Sequence, residues 1–344
     1  MKPNIMKKTC TLILSLFVLF SYGQRMTYTE WQEEAKTNKR LIPKYGYIHK
    51  SANELTSDST FISSILETDG SLEVGSAHLV GLGFNYLQQG DVKTAMYRFN
   101  QAWLLDSLNA NAYWGFGAVY SFFSQTGEQI QQYNEGLEID PLNSNILTDY
   151  GTIYLGNFYD SANTYELYLA IELLRKAYQQ DPENYNTLFK LSICYYNLDD
   201  CYFAWKYWDK SVEHGGMPIM ENFTRDLRKG CERTENTFDF TVFKTGIFHH
   251  NDEQAGLTRI IRTENTQIEE NIDLGIQVKL SVEWIDESIF KLTFLEDLKG
   301  GGAELSGMTI FNRITEIDGN YHVQAGSANI SPEEVKFKIE KIEN

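Results

Sequence analysis

Asp106-Ser107-Leu108-Asn109-Ala110-Asn111, Asp140-Pro141-Leu142-Asn143-Ser144-Asn145 and Asp181-Pro182-Glu183-Asn184-Tyr185-Asn186 share one pattern, Asp-(Pro/Ser)-x-Asn-x-Asn. The first two begin 34 residues apart and the last two 41. Proline cannot continue a helix and disfavours helical backbone in the residue before it. Asparagine is a preferred N-cap. Each stretch therefore reads as the stop of one helix and the start of the next, and their recurrence marks a structural unit repeated along the chain.

The residues between these marks repeat as well. Leu82-Gly83, Tyr86, Ala95, Phe99 and Ala102 are followed by Phe116-Gly117, Tyr120, Tyr133, Gly136 and Pro141. A third unit supplies Tyr150-Gly151, Tyr154, Ala170, Leu174, Ala177 and Pro182, and a fourth Leu191, Tyr195, Ala204 and Trp208. This signature resembles the tetratricopeptide (TPR) repeat family, which implies an α-solenoid of helix pairs. Helices of about a dozen residues are marginal in isolation, so the units must stack. Small residues (Gly83, Gly117, Gly151) fall where helices meet, and Tyr86, Phe99, Tyr120, Tyr154 and Trp208 fill the space between them. Departures from the pattern are Ser107 for proline, Gln129 and Ser192 for small residues, and about seven extra residues near Phe158 to Thr164. The insertion is expected to bulge as a loop.

The solenoid is expected over 76–232, its end covered by a helix from Pro218 to Gly230 with Ile219, Met220, Phe223 and Leu227 at helical spacing. On that reading Cys231 ends the cap near Cys201, which begins the preceding helix. Those two cysteines are the candidate disulfide, leaving Cys194 free. Residues 24–75 form a helical lead-in with helices at Thr29–Lys39 and Ser57–Glu67 and a turn-rich connector from Leu41 to Tyr47.

From Phe238 onward the periodicity changes to alternation. Strands are expected at 238–248, 257–263, 276–285, 289–295, 308–317, 321–325 and 335–342, with no helix between them. Residues 238–344 therefore predict an antiparallel β domain, whether sheet, sandwich or small barrel. A barrel of this size would be filled by side chains or hold a small apolar ligand, and the filled core is the expectation.

At the N-terminus, Lys2, Lys7 and Lys8 precede the apolar run Leu12 to Phe20, and Ser21 and Gly23 offer a cleavage site before Gln24. Residues 1–23 read as a secretory signal peptide. The apolar run is about half of what a membrane-spanning helix needs. The expected location is the periplasm or outside the cell, with no membrane span after cleavage. Without the three lysines the chain carries 27 basic and 47 acidic residues, a net −20, which argues against a nucleic-acid partner.

Chemistry-bearing motifs are sparse. His249-His250 would point to opposite faces of a strand. Lys299 to Ala303 is glycine-rich yet lacks the Gly-Lys-Ser/Thr of a phosphate loop, and no G-x-S-x-G, H-E-x-x-H or G-x-G-x-x-G element occurs in a useful place. No metal, cofactor or enzymatic activity is expected. The TPR resemblance implies that the first helix of each pair lines a concave groove. It places Phe84, Asn111, Trp114, Phe122, Asn145, Asn186, Phe189 and Asn197 there, together with Val80, Thr148, Thr152 and Ile193. Such an aromatic and amide surface suits a protein or peptide partner. Lys190 is nearly the only cation, so a carboxylate-gripping groove is not implied. Two alternatives stay open: the lead-in or the β domain could fill the groove, or the β domain could bind a small molecule with the repeats as tether. Oligomeric state is not readable.

Overall fold

The computed structural model describes residues 26–216, 221–233, 235, 238–300 and 305–343. The signal segment, and Ile219 and Met220 of the cap, lie outside the described residues. Two units result, an α-solenoid and a closed antiparallel β-barrel.

Helices α1 (Tyr28–Ala35) and α2 (Ala52–Asp69) form the lead-in. The stacked pairs are α3/α4 (Leu72–Gln88, Val92–Leu105), α5/α6 (Ala110–Phe122, Thr126–Ile139), α7/α8 (Ser144–Ser161, Thr164–Gln180) and α9/α10 (Tyr185–Asn197, Cys201–Glu213), followed by α11 (Glu221–Gly230). Asn109, Asn143 and Asn184 each cap the helix that follows, accepting backbone N–H groups of Asn111, Ile146, and Asn186 and Thr187. Phe99 shows how the stack closes: a methyl group on Gly83 or Gly115 would come within 2.4 or 2.2 Å of its ring. Only glycine lets α3 and α5 pack that closely against Phe99 of α4.

Two local expectations are corrected. The extra residues of the third unit do not bulge. They lengthen α7 to 18 and α8 to 17 residues, and the chain reverses through Ala162 at φ 56°. The second lead-in helix starts at Ala52, because Ser51 and Glu54 form a reciprocal capping box there.

The connector is held unusually. Lys44, Tyr45, Gly46 and Tyr47 all have φ between 54° and 63°, a left-handed run that L-residues adopt at a cost. Asn100 of α4 holds it in place: its Oδ1 accepts from Tyr45 N (3.2 Å), and its Nδ2 donates to the carbonyls of Arg40 (2.9 Å) and Ile42 (3.0 Å).

Strands β1 (Gly246–Asp252), β2 (Gly256–Arg262), β3 (Thr266–Asn271), β4 (Ile276–Trp284), β5 (Ile289–Asp297), β6 (Thr309–Asp318), β7 (Tyr321–Ala328) and β8 (Ser331–Glu343) pair in sequence order, and β1 closes on β8. Closure removes the exposed edges of an open sheet. Residues 238–245 are not strand: Phe240–Phe243 forms a 3-10 turn whose Phe240 and Phe243 pack into the barrel core.

Alternation along the strands gives each residue one of two environments. Outward-facing Phe311 stacks on Tyr168 of α8 with centroids 5.5 Å apart. Lys291 donates to Glu172 of α8 (2.8 Å), and Arg313 Nη2 donates to the carbonyl of Leu198 (2.8 Å). Asp286 accepts from Tyr195 of α9. The barrel is thus fastened to α8 and to the ends of α9 and α10, sharing one apolar core with them.

Candidate functional site

The first helices of the pairs, α3, α5, α7 and α9, line one side of the solenoid. The barrel and lead-in reach parts of this row: Asp286 of the barrel accepts from Tyr195 of α9, Tyr28 meets Tyr120 of α5 edge-on (6.5 Å), and Ile65 of α2 packs against Gly75 of α3. Barrel contacts fall on α8 and the α9–α10 end. In the lead-in, Trp31 meets Phe123 after α5, Asn38 donates to Tyr97 of α4, and Lys44 pairs with Glu135 of α6.

All eight residues assigned to the groove by resemblance are half-buried. The structure brings four of them together in the middle. The Phe84 and Trp114 rings meet with centroids 3.9 Å apart and planes tilted by 37°, and Asn145 Nδ2 donates to Asn111 Oδ1 across adjacent helices (3.1 Å). The other four are dispersed. Phe122 packs edge-on against Phe123 (5.2 Å), which belongs to the lead-in contact. Phe189 meets Phe223 of α11 (5.5 Å), so the capping helix shares its face. Asn197 donates to Tyr159 (3.0 Å) farther along. Asn186 lies at the start of α9. Val80 and Thr148 do not line the surface. They are 7 % and 2 % exposed, and the Thr148 hydroxyl is bonded inward to Thr187 (2.7 Å).

Asp149 is the residue that the sequence reading missed. Its Oδ2 accepts from Trp114 Nε1 (2.7 Å) and Tyr133 OH (3.4 Å), and its Oδ1 lies 3.5 Å from Lys190 Nζ. Burial pushes the Lys190 ammonium below its ordinary value while Asp149 opposes that shift. The same burial pushes the Tyr133 phenol up, so it remains a donor. A signal was present in the sequence. Asp149 and Lys190 each stand two residues before the helix-packing small residue, Gly151 and Ser192, which puts opposite charges at one register of adjacent helices. Beside Asp149 opens a recess of about 310 Å³ lined by Ala118, Ser121, Thr152 and Ile153.

Cys201 and Cys231 are bonded, and Cys194 is a buried free thiol. The bridge ties the end of α11 to the start of α10. Where barrel and solenoid meet, a cleft of about 540 Å³ is lined by Asp200, Tyr202, Arg313, Glu316 and Lys336. Burial pushes the Asp200 carboxyl up, opposed by Arg313 at 3.5 Å. These charges bridge the two units. Among the described residues no group of three or more His, Cys, Asp or Glu side chains converges on one point.

No protein-family model matches the chain, and no curated protein does. Among solved structures it is similar to Pseudomonas aeruginosa PilF, with 20% identity and a TM-score of 0.35 over 47% of this chain and 79% of that one. It is also similar to YrrB, described as a TPR protein with an unusual peptide-binding site, at 16% identity and a TM-score of 0.32 over 57% and 97%. MamA is a third, at 18% and 0.31 over 52% and 99%. Nothing about partners is carried over from these likenesses.

Proposed function

We propose that this chain is an exported, non-enzymatic scaffold that binds an extended segment of a protein partner along the α3–α5–α7 face. The observation that supports this most is the cluster itself: Phe84, Trp114, Asn111 and Asn145 meet at a half-buried surface, while the barrel is fastened to α8 and the α9–α10 end and the lead-in to α4 and the edges of α3 and α5. The paired rings of Phe84 and Trp114 give an apolar anchor, and asparagine amides present both donors and acceptors to a peptide backbone. Lys190 is engaged by Asp149, so the partner segment is neutral or basic rather than acidic, in keeping with a chain of net charge −17.

The test is cross-linking and capture from the envelope fraction with the unmodified chain, Trp114→Ala, and a control at exposed Glu183. Loss of a central aromatic anchor weakens binding by about 2 kcal/mol, or roughly thirtyfold. Recovery of the same partners in the same amounts by all three proteins would remove the groove reading. Export is tested separately by the N-terminal residue of the mature protein. Gln24 supports it, and a protein beginning at Met1 argues against it. The second reading, a small molecule in the barrel, is favoured by polar groups inside that barrel.

A further inference from the structure

The barrel has an apolar core around Phe248, Ile260, Leu280, Phe290 and Ile339, but its interior also holds polar side chains that a barrel filled only by hydrocarbon would lack. On the inward face, Arg262, Asn312, His322 and Gln324 are 2 %, 1 %, 1 % and 4 % exposed. Their hydrogen bonds are incomplete. Arg262 Nε donates to Gln267 Oε1 (2.5 Å) and Nη1 to the Phe243 carbonyl (3.0 Å), while Nη2 has no partner. Gln324 Nε2 donates to Asn312 Oδ1 (2.6 Å), which leaves Asn312 Nδ2 and Gln324 Oε1 unused. Both ring nitrogens of His322 and the indole N–H of Trp284 are also unpartnered.

Six of the nine buried, partnerless side-chain atoms among the described residues therefore lie inside the barrel. They share one set of aromatic walls. The Arg262 guanidinium lies 4.3 Å from the Phe290 ring centroid and 5.0 Å from that of Phe248. His322 contacts Phe248 at 6.0 Å and Phe243 at 4.5 Å, and Trp284 is 4.7 Å from Phe290. Asn312 stands directly opposite Phe290 in the ladder. A buried polar atom without a partner costs about 1–3 kcal/mol, and more when charged, so a cluster of this size points to a bound group. Its chemistry follows from the inventory. Arg262 Nη2, Asn312 Nδ2 and Trp284 Nε1 are all donors, neutral histidine adds one donor and one acceptor, and Gln324 Oε1 is an acceptor. Donors predominate around a fixed positive charge. Glu269, a half-buried carboxyl on the same inward face, is held by Gln267 Nε2 (2.5 Å), and desolvation pushes it toward the neutral acid.

We propose that the barrel lumen binds a small aromatic carboxylate, its oxygens on Arg262 Nη2 and Asn312 Nδ2 and its ring among Phe248, Phe290 and Trp284. The entrance is the mouth covered by the Phe240–Phe243 turn, which is tied down by side-chain donors to two carbonyls, Arg262 to Phe243 and Lys341 to Val242. This site is independent of the groove.

The test uses the full chain with benzoate and phenylacetate as probes and benzyl alcohol, which lacks the carboxylate, as control. Titration calorimetry is expected to show binding of a carboxylate probe that weakens at least about tenfold, 1.4 kcal/mol, in Arg262→Met and with benzyl alcohol, and is unchanged in Trp114→Ala. A second readout does not depend on how Arg262→Met folds: the indole N–H resonance lost in Trp284→Phe should shift when the probe is added to the unmodified chain. The proposal is overturned if neither carboxylate binds, if benzyl alcohol binds equally well, or if the shifting indole signal is that of Trp114. A crystal structure soaked with benzoate that shows only ordered water on the six atoms would also overturn it.

Discussion

Asn100 in the solenoid and Asn312 in the barrel are almost equally buried, at 0 % and 1 % exposure, yet they do opposite things. Asn100 makes three hydrogen bonds to backbone groups and holds a left-handed connector that would not persist unaided. Asn312 accepts one bond from Gln324 and leaves its own N–H₂ unused. The contrast extends to each unit as a whole. The solenoid's buried polar groups cap helices and fasten segments, whereas inside the barrel Arg262, Trp284, Asn312, His322 and Gln324 leave six side-chain atoms without a partner. Buried polarity that the fold itself does not need is a pointer to binding.

The largest effect should come from the solenoid's packing. Phe99→Ala empties a ring site that Gly83 and Gly115 both press upon, and a cost of about 3–5 kcal/mol is expected by urea unfolding. If the solenoid and barrel unfold together through their shared core, both helical and barrel signals move; two separate transitions would show the units to be independent. The next test addresses the comparison directly. Asn100→Leu should cost about 2–4 kcal/mol, because it strands an N–H and two carbonyls, whereas Asn312→Leu, which strands Gln324 Nε2 but removes the unpartnered Asn312 Nδ2, should cost less than about 1 kcal/mol. Equal costs would dissolve the distinction.

A third test uses pH. Burial, and after it the charge of Arg262, lowers His322 from 6.5 to about 4. The folded state therefore binds this proton later than the unfolded chain does. Its contribution to stability is complete above pH 6.5 and is lost as pH falls from 6.5 toward 4. Between pH 7 and pH 5 the loss should be about 2 kcal/mol. Glu269, pushed up by burial, acts with the opposite sign: its folded carboxyl takes up a proton before the unfolded one, so its penalty shrinks as pH falls. Comparing urea midpoints of the unmodified chain and His322→Phe at both pH values isolates the histidine. An unchanged pH dependence in the variant would refute its role. The smallest effect is at a cap. Asn184→Ala should cost about 1 kcal/mol, visible as a lowered melting temperature without change in the barrel signal.

Much of this architecture was legible in the amino-acid sequence. Asn109, Asn143 and Asn184 announced helix starts because an N-cap is a local interaction spanning two or three residues. The strands announced themselves where an apolar inward face alternates with a polar outward one. Strand β3 escaped notice because its inward residues are Gln267, Glu269 and Asn271, so its pattern is inverted and reads as loop. The 3-10 turn at Phe240–Phe243 reads as strand in the sequence because Phe238 and Phe240 alternate and Phe243 follows three residues later, which resembles a broken alternation. The placing of Phe84, Asn111, Trp114 and Asn145 on the first helices of their pairs followed from the repeat register, but the Asp149 contacts with Trp114, Tyr133 and Lys190 cross three helices.

By itself, then, the sequence determined what depends on near neighbours: the repeat, its caps, its close-packed glycines and the change to alternating strands. Tertiary structure alone decided that the sheet closes, that the barrel fastens to α8, and that Arg262, Asn312, His322 and Gln324 meet around the same rings. Those outcomes depend on which distant residues come to share a space, a relation that periodicity along one chain does not encode.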